Sequence, residues 1–177
     1  TAYQSNTNNY AIRDYSSTYS QIYYNLADAG ATIEDINVKV SLSHTYTADL
    51  IIYLIAPDGS YTTLANRSGG SGDNYRVTLF DDQAGTSVSS GRAPFNGSYR
   101  PYQSLSRLNG LQANGIWTLR IDDRAGWDWG TLTSWGLEIN TAIKPVSVLK
   151  TTTSNINVSD LTGTVTDVNV TMNIAHA

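Results

Sequence analysis

The side chains with the most chemical potential in this chain are aspartates placed where strands should end. Asp81-Asp82 and Asp122-Asp123 each follow an apolar alternating run, Asp128 lies in the turn after the second, and Asp49 precedes a third run. A turning backbone leaves main-chain carbonyls free beside such carboxylates. Calcium, a hard cation, takes about six to eight oxygen ligands of these kinds. Strand ends of an antiparallel sandwich can gather at one edge. The candidate metal ligands are therefore Asp49, Asp81, Asp82, Asp122, Asp123 and Asp128, with structural Ca2+ as the expected ion. The competing role for each single Asp is to accept backbone N–H groups and cap its own turn.

Catalysis finds less support. Nucleophilic hydrolysis needs a Ser or Cys, a base, and a group that orients the base. Cysteine is absent and the histidines number 2, His44 and His176. His176 is next to last, and His44 beside Thr45-Tyr46 reads as a hydrogen-bonded structural residue. No Gly-x-Ser-x-Gly elbow occurs; Gly69-Gly70-Ser71-Gly72 has the wrong spacing. No His-Glu-x-x-His zinc motif is present. Acids clustered on one turn suit a cation better than the paired carboxylates of glycoside hydrolysis. The catalytic residues expected are none.

The elements that position these aspartates are strands. Ile36, Val38, Val40 and Leu42 alternate with polar partners, as do Trp117, Leu119 and Ile121, and again Trp135, Leu137 and Ile139. Leu50 to Ile55 is apolar on both faces, as a central strand would be. Pro57-Asp58-Gly59-Ser60 forms a turn, with Pro presetting φ and Gly supplying positive φ, and Tyr61 to Leu64 returns as a hairpin. Ile12, Tyr19 to Tyr24 and Tyr75 to Phe80 complete the strand set. Thr1 to Asn9 reads as a frayed terminus, Arg67 to Asn74 as a loop, and Gln83 to Asn114 as a long irregular excursion of about 30 residues. No helical period is sustained. The expected fold is all-β, an antiparallel β-sandwich of jelly-roll type with about eight strands, spanning residues 1–142.

Composition agrees with this reading. The chain has 177 residues, 12 Tyr, 4 Trp and a net charge of -4, so one domain with a substantial core is expected. No basic run points to nucleic acid, and no apolar stretch is long enough for a membrane-spanning helix. Zero cysteines with many Tyr, Asn and Thr suit a bacterial extracellular protein stapled by calcium.

Residues 143–177 read as a linker followed by the first strands of an incomplete repeat. Thr164-Val165-Thr166-Asp167-Val168-Asn169-Val170-Thr171-Met172-Asn173-Ile174-Ala175-His176 matches Thr32 to His44 in constant register, with Asp, Asn, Val and His recurring in place. A strand pair without partners cannot bury its apolar face. Val168, Val170, Met172 and Ile174 are therefore expected to be disordered, packed on the first domain, or paired with an edge strand.

Ordered motifs carry a family resemblance over about Ile12 to Asn140. They are His44-Thr45-Tyr46-Thr47-Ala48-Asp49-Leu50, Leu54-Ile55-Ala56-Pro57-Asp58-Gly59, Phe80-Asp81-Asp82-Gln83-Ala84, Ala93-Pro94-Phe95-Asn96-Gly97, and the block from Trp117 to Ile139. Together they resemble the P domain that follows the catalytic domain in subtilisin-like proprotein convertases and in secreted bacterial proteases. Eukaryotic convertases often have Arg-Gly-Asp where this chain has Thr47-Ala48-Asp49, which groups it with bacterial members. The resemblance implies a non-catalytic accessory domain of a secreted bacterial protease, either a subtilisin-like serine protease or a zinc metalloprotease. It implies extracellular location, calcium binding, and packing against the catalytic domain of the same polypeptide; the internal repeat adds the expectation of a tandem second P domain.

Two surface features could serve a partner. If Leu50, Ile52 and Leu54 face the core, Ile51, Tyr53 and Ile55 form an outward stripe that needs a cover. Trp127 and Trp129 flank Asp128 in a turn, and paired aromatics can stack on sugars or anchor an interface. The alternative reading is thus an extracellular module that binds a polysaccharide or protein substrate through Trp127 and Trp129, with Trp117 and Trp135 in the core.

Overall fold

The alternating residues of the long strand β4 (Ile33–His44) divide as their period dictates: Ile36, Val38, Val40 and Leu42 are buried, while Glu34 and Lys39 are exposed. The structure, a computed structural model, describes residues 1–142, 153–157, 159, 162–164 and 166–172. The other strands are β1 (Ala2–Asn6), β2 (Tyr10–Ile12), β3 (Ser17–Tyr24), β5 (Leu50–Ile55), β6 (Tyr61–Asn66), β7 (Tyr75–Phe80), β8 (Phe95–Tyr99), β9 (Gly115–Asp123) and β10 (Gly130–Thr141). One sheet has six strands in the order β1-β10-β4-β7-β8, with β2 also paired to β10; the other has four, β3-β9-β5-β6. The two pack as an all-β sandwich. Their inner faces share one core that includes Val38, Val40, Leu42, Leu50, Ile52, Leu54, Trp117, Leu119, Trp135 and Leu137. Helical structure among the described residues is limited to short 3-10 turns at Thr47–Asp49, Val88–Ser90 and Leu105–Leu108.

The strand count exceeds the sequence expectation, and one pair departs from it. The first residues are not frayed: Ala2 to Asn6 pair antiparallel with β10, Ala2 opposite Ile139 and Asn6 opposite Trp135. Polar side chains hid this strand, whose stability comes from its ladder and from Tyr24. The Tyr24 hydroxyl crosses from the other sheet to donate to the carbonyls of Leu137, at 3.1 Å, and Ala2. Burial pushes that phenol up to about 12. The region after Asp82 is not wholly irregular either. β8 runs parallel to β7, Tyr75 opposite Phe95 and Phe80 opposite Tyr99, so the larger sheet is mixed. Asn96-Gly97, within the stretch read as irregular, lies inside β8. Phe95 anchors that strand by stacking on Tyr75 at 4.6 Å and meeting Tyr99 edge-on at 5.4 Å.

By its internal contacts the chain divides into two units, Thr1–Lys144 and Pro145–Ala177. In the second, Val168, Val170 and Met172 are 70%, 72% and 76% exposed, and the described residues there form no strand. Ile174 and His176, the rest of the repeat's alternating register, lie outside the described residues.

Candidate functional site

Strand pairing brings one set of acidic residues together. Gly130 of β10 lies opposite His44 of β4, Leu50 of β5 opposite Asp123 of β9, and Ser17 of β3 opposite Asp122. The ends of β4 and β9 and the starts of β3, β5 and β10 thus meet at one edge of the sandwich. There His44 Nε2 lies 3.1 Å from Asp123 Oδ2, and both side chains are fully buried. Asp123 Oδ1 accepts from the Ala125 amide at 3.1 Å. His44 Nδ1 faces the Tyr46 main chain, 2.9 Å from its carbonyl and 3.2 Å from its amide. Both ring nitrogens are therefore engaged, and the imidazole is held as a buried cross-link between the sheets' ends. Gly130 is required by this packing. A Cβ there would lie 1.9 Å from the Ser43 carbonyl oxygen and 2.9 Å from the His44 ring.

The neighbouring acids have different partners. Asp122 receives two bonds from the Arg120 guanidinium, at 2.7 and 2.8 Å, and one from the Ser17 hydroxyl at 2.7 Å. That carboxylate holds the Arg120 guanidinium in its charged form, raising its pKa. Asp128 accepts from the Thr45 hydroxyl at 2.8 Å. Asp49 is buried, and no hydrogen bond from a described residue reaches its carboxylate. Burial, then the charges of Asp123 and Asp128, push its carboxyl above the usual range.

Asp81 and Asp82 lie elsewhere. β7 runs antiparallel to β4, with Phe80 opposite Val38, so its end points away from His44. Asp82 caps the turn at Leu105–Leu108: its oxygens accept from the Leu105 and Ser106 amides, both at 2.8 Å, and from the Ser104 hydroxyl at 2.5 Å. Asp81 accepts from the Gln83 amide at 2.7 Å. Spacing along the chain could not show this division, because it depends on strand direction. The six candidate aspartates therefore do not gather into one site. Among the described residues no three acidic or imidazole side chains are arranged to hold a metal. Asp82 and Asp122 spend their oxygens on N–H and O–H donors. At the corner of Asp49, Asp123 and Asp128 three carboxylates act on one another, with Arg67 as a counter-charge to Asp49.

The outward stripe of β5 is partly covered by its own sheet. Arg120 lies over the rings of Tyr53 at 5.3 Å and Tyr19 at 5.9 Å. Tyr61 meets Tyr53 edge-on at 6.1 Å. Ile51, Tyr53 and Ile55 are half-buried, while Tyr19, Tyr23, Tyr61 and Ile116 around them stay exposed. Trp127 and Trp129, by contrast, project from the β9–β10 turn at 92% and 70% exposure. Trp127 adopts φ 78°, and its amide is fixed at 3.0 Å by the Asp14 carboxylate. Sequence reasoning missed Asp14 and the neighbouring Tyr15, itself exposed with φ 50°. Neither carried a local signal.

Fold and site together define a β-sandwich module in which His44, Asp82, Asp122 and Asp123 are tied into hydrogen bonds between elements. The chain belongs to the proprotein convertase P-domain family, which matches residues 33–139. Over 98 residues it is 37% identical to leupeptin-inactivating enzyme 1 of Streptomyces exfoliatus, covering 55% of this chain and 17% of that protein. Over 110 residues it is 30% identical to a calcium-dependent protease of Trichormus variabilis, covering 60% of this chain and 14% of that protein. The chain thus spans a small part of the curated relatives it matches. The serine protease of Aeromonas sobria contains a similar fold, with a TM-score of 0.51 and 22% identity over 78% of this chain and 26% of that one.

Proposed function

We propose that this chain is the non-catalytic accessory domain of a secreted bacterial endopeptidase, subtilisin-like or zinc-dependent, and that it docks on and stabilises the catalytic domain of the same polypeptide. The family match across residues 33–139 carries the reading. Two further facts support it. The protease relatives are several times longer than the matched segment. His44, the one histidine among the described residues, is buried with both nitrogens engaged, so it has none left to activate a nucleophile. The aromatic face around Ile51, Tyr53 and Ile55 supplies a contact surface of the apolar, Tyr- and Arg-rich kind found at interfaces. The repeat at residues 164–176 is read as the opening of a second P domain. Assays of the purified chain against casein and generic peptide and ester substrates should give no turnover. Turnover lost in a His44→Ala variant that still folds would overturn the reading.

Calcium is the finer part of the proposal. It rests on relatives named calcium-dependent proteases and on the carboxylates gathered at Asp49, Asp123 and Asp128, where a cation would offset the burial and the neighbouring charges that together lift the Asp49 carboxyl. Thermal unfolding in calcium against EGTA tests it. An ion bound only by the native state raises the midpoint by mass action, and Asp49→Asn should abolish that rise. An equal midpoint in both media, with no metal found by elemental analysis, removes calcium from the account.

The turn supports a second reading, in which Trp127 and Trp129 form a contact tip for a substrate surface. The observation favouring it is the fixed left-handed backbone that holds Trp127 out into solvent.

A further inference from the structure

We propose that the outer face of the six-stranded sheet carries a saccharide-binding groove, independent of the protease reading. A groove of about 360 Å³ crosses this face, within the range of small-ligand sites, about 300–1,000 Å³. Strand register builds it. Tyr3 of β1 lies opposite Glu138 of β10, which lies opposite Asn37 of β4; one step along, Gly136 lies opposite Lys39, and Lys39 opposite Leu79 of β7.

The groove has a flat aromatic wall. A Cβ at Gly136 would fall 2.4 Å from the Tyr3 hydroxyl and 2.7–2.9 Å from the ring edge that carries it. The ring takes its position over residue 136, where the missing side chain leaves room for it. Tyr3 is 53% exposed, which leaves ring surface open to solvent. Beside it the polar groups lack partners. The Asn37 Oδ1 atom lies buried beneath this surface without a hydrogen bond, so the accessible charges of the groove are those of Lys39 and Glu138. Among the described residues, Lys39 and Glu138 enter no ion pair although both line the groove.

These groups select a ligand class. Lys39 can only donate, whereas the Glu138 carboxylate can only accept. A hydroxyl serves both, and adjacent hydroxyls on a ring serve them at once. The two charges cancel, which favours a neutral ligand. An aromatic face beside convergent donors and acceptors matches a pyranose, whose C–H face stacks while its rim hydroxyls bond. The tyrosine face of the other sheet differs, because Arg120 there is already paired with Asp122.

The test is calorimetric titration of the chain with soluble cello-, chito-, malto- and laminari-oligosaccharides, and with a panel of short peptides. At least one saccharide series should bind. Tyr3→Ala should weaken it about tenfold, the loss of a single stacking contact; Glu138→Gln should weaken it less, and Tyr3→Phe should keep it. The double variant Trp127→Ala/Trp129→Ala should leave it unchanged. If Tyr3→Ala fails to fold, Gly136→Ala, which crowds the ring, and Glu138→Gln decide. Binding of no saccharide, binding of peptides alone, or binding abolished at Trp127 and Trp129 but intact at Tyr3 and Glu138 would each overturn the proposal.

Discussion

Two pairs of tryptophans stand close together in the sequence and have opposite fates. Trp117 and Trp135, on the bodies of β9 and β10, are buried, and their indole N–H groups donate to the Ala113 carbonyl at 2.9 Å and the Ser20 hydroxyl at 2.8 Å. Trp127 and Trp129, in the turn joining the same strands, are exposed. The residue type is constant, so the difference comes from what surrounds it: two facing sheets in one case, a turn held by hydrogen bonds to Asp14, Asp49, Asp123 and Thr45 in the other. The strand bodies build the fold, and the turn is free to serve a partner.

Substitutions sharpen the contrast. Trp135→Ala removes a buried ring and leaves Ser20 without its donor, and should cost about 3–5 kcal/mol in urea unfolding. Asp123→Ala strips the partner from a buried His44 and should cost about 3 kcal/mol, read the same way. A cost under about 0.5 kcal/mol would show that the His44–Asp123 contact carries no structural load.

Asp49 gives a smaller effect with a definite sign. Its folded carboxyl holds a proton more tightly than the unfolded one. The native state thus binds more protons through this group, and its contribution falls as pH rises from the ordinary carboxylate value through the raised one. Without calcium, Asp49→Asn should raise the midpoint at neutral pH, with the gain disappearing below about pH 4. A gain that grew on acidification would contradict this. At the bottom of the scale, Trp127→Ala should change stability by no more than about 0.5 kcal/mol, since its ring is in solvent. A loss of several kcal/mol would erase the distinction between the two pairs.

The alternation that marks β4, β9 and β10 was legible because each has one face in the core, which a period of two records directly. β1 and β8 were not legible. The first is polar and held by its ladder with β10, and the second contains Asn96-Gly97, whose turn propensity is overridden by Phe95 packing on Tyr75. Candidate ligands were legible as residue types but not as a constellation. The strand directions that send Asp81 and Asp82 away from His44 are tertiary facts. The tail teaches the same point: Val168, Val170 and Met172 repeat the pattern of β4 yet are exposed, whereas β4 lies between β10 and β7. A pattern specifies which face would be buried, and only neighbouring strands bury it.

The central claim is that this domain supports a protease without performing its chemistry. The most direct measurement takes the natural reading frame that encodes this chain, expresses it with and without residues 1–142, and follows casein hydrolysis and the half-life of activity on warming. The account predicts an active full-length enzyme, a deletion that loses activity or inactivates much faster, and an inert isolated domain. A frame that encodes no peptidase, or a deletion whose activity and half-life match the full-length enzyme, would contradict it.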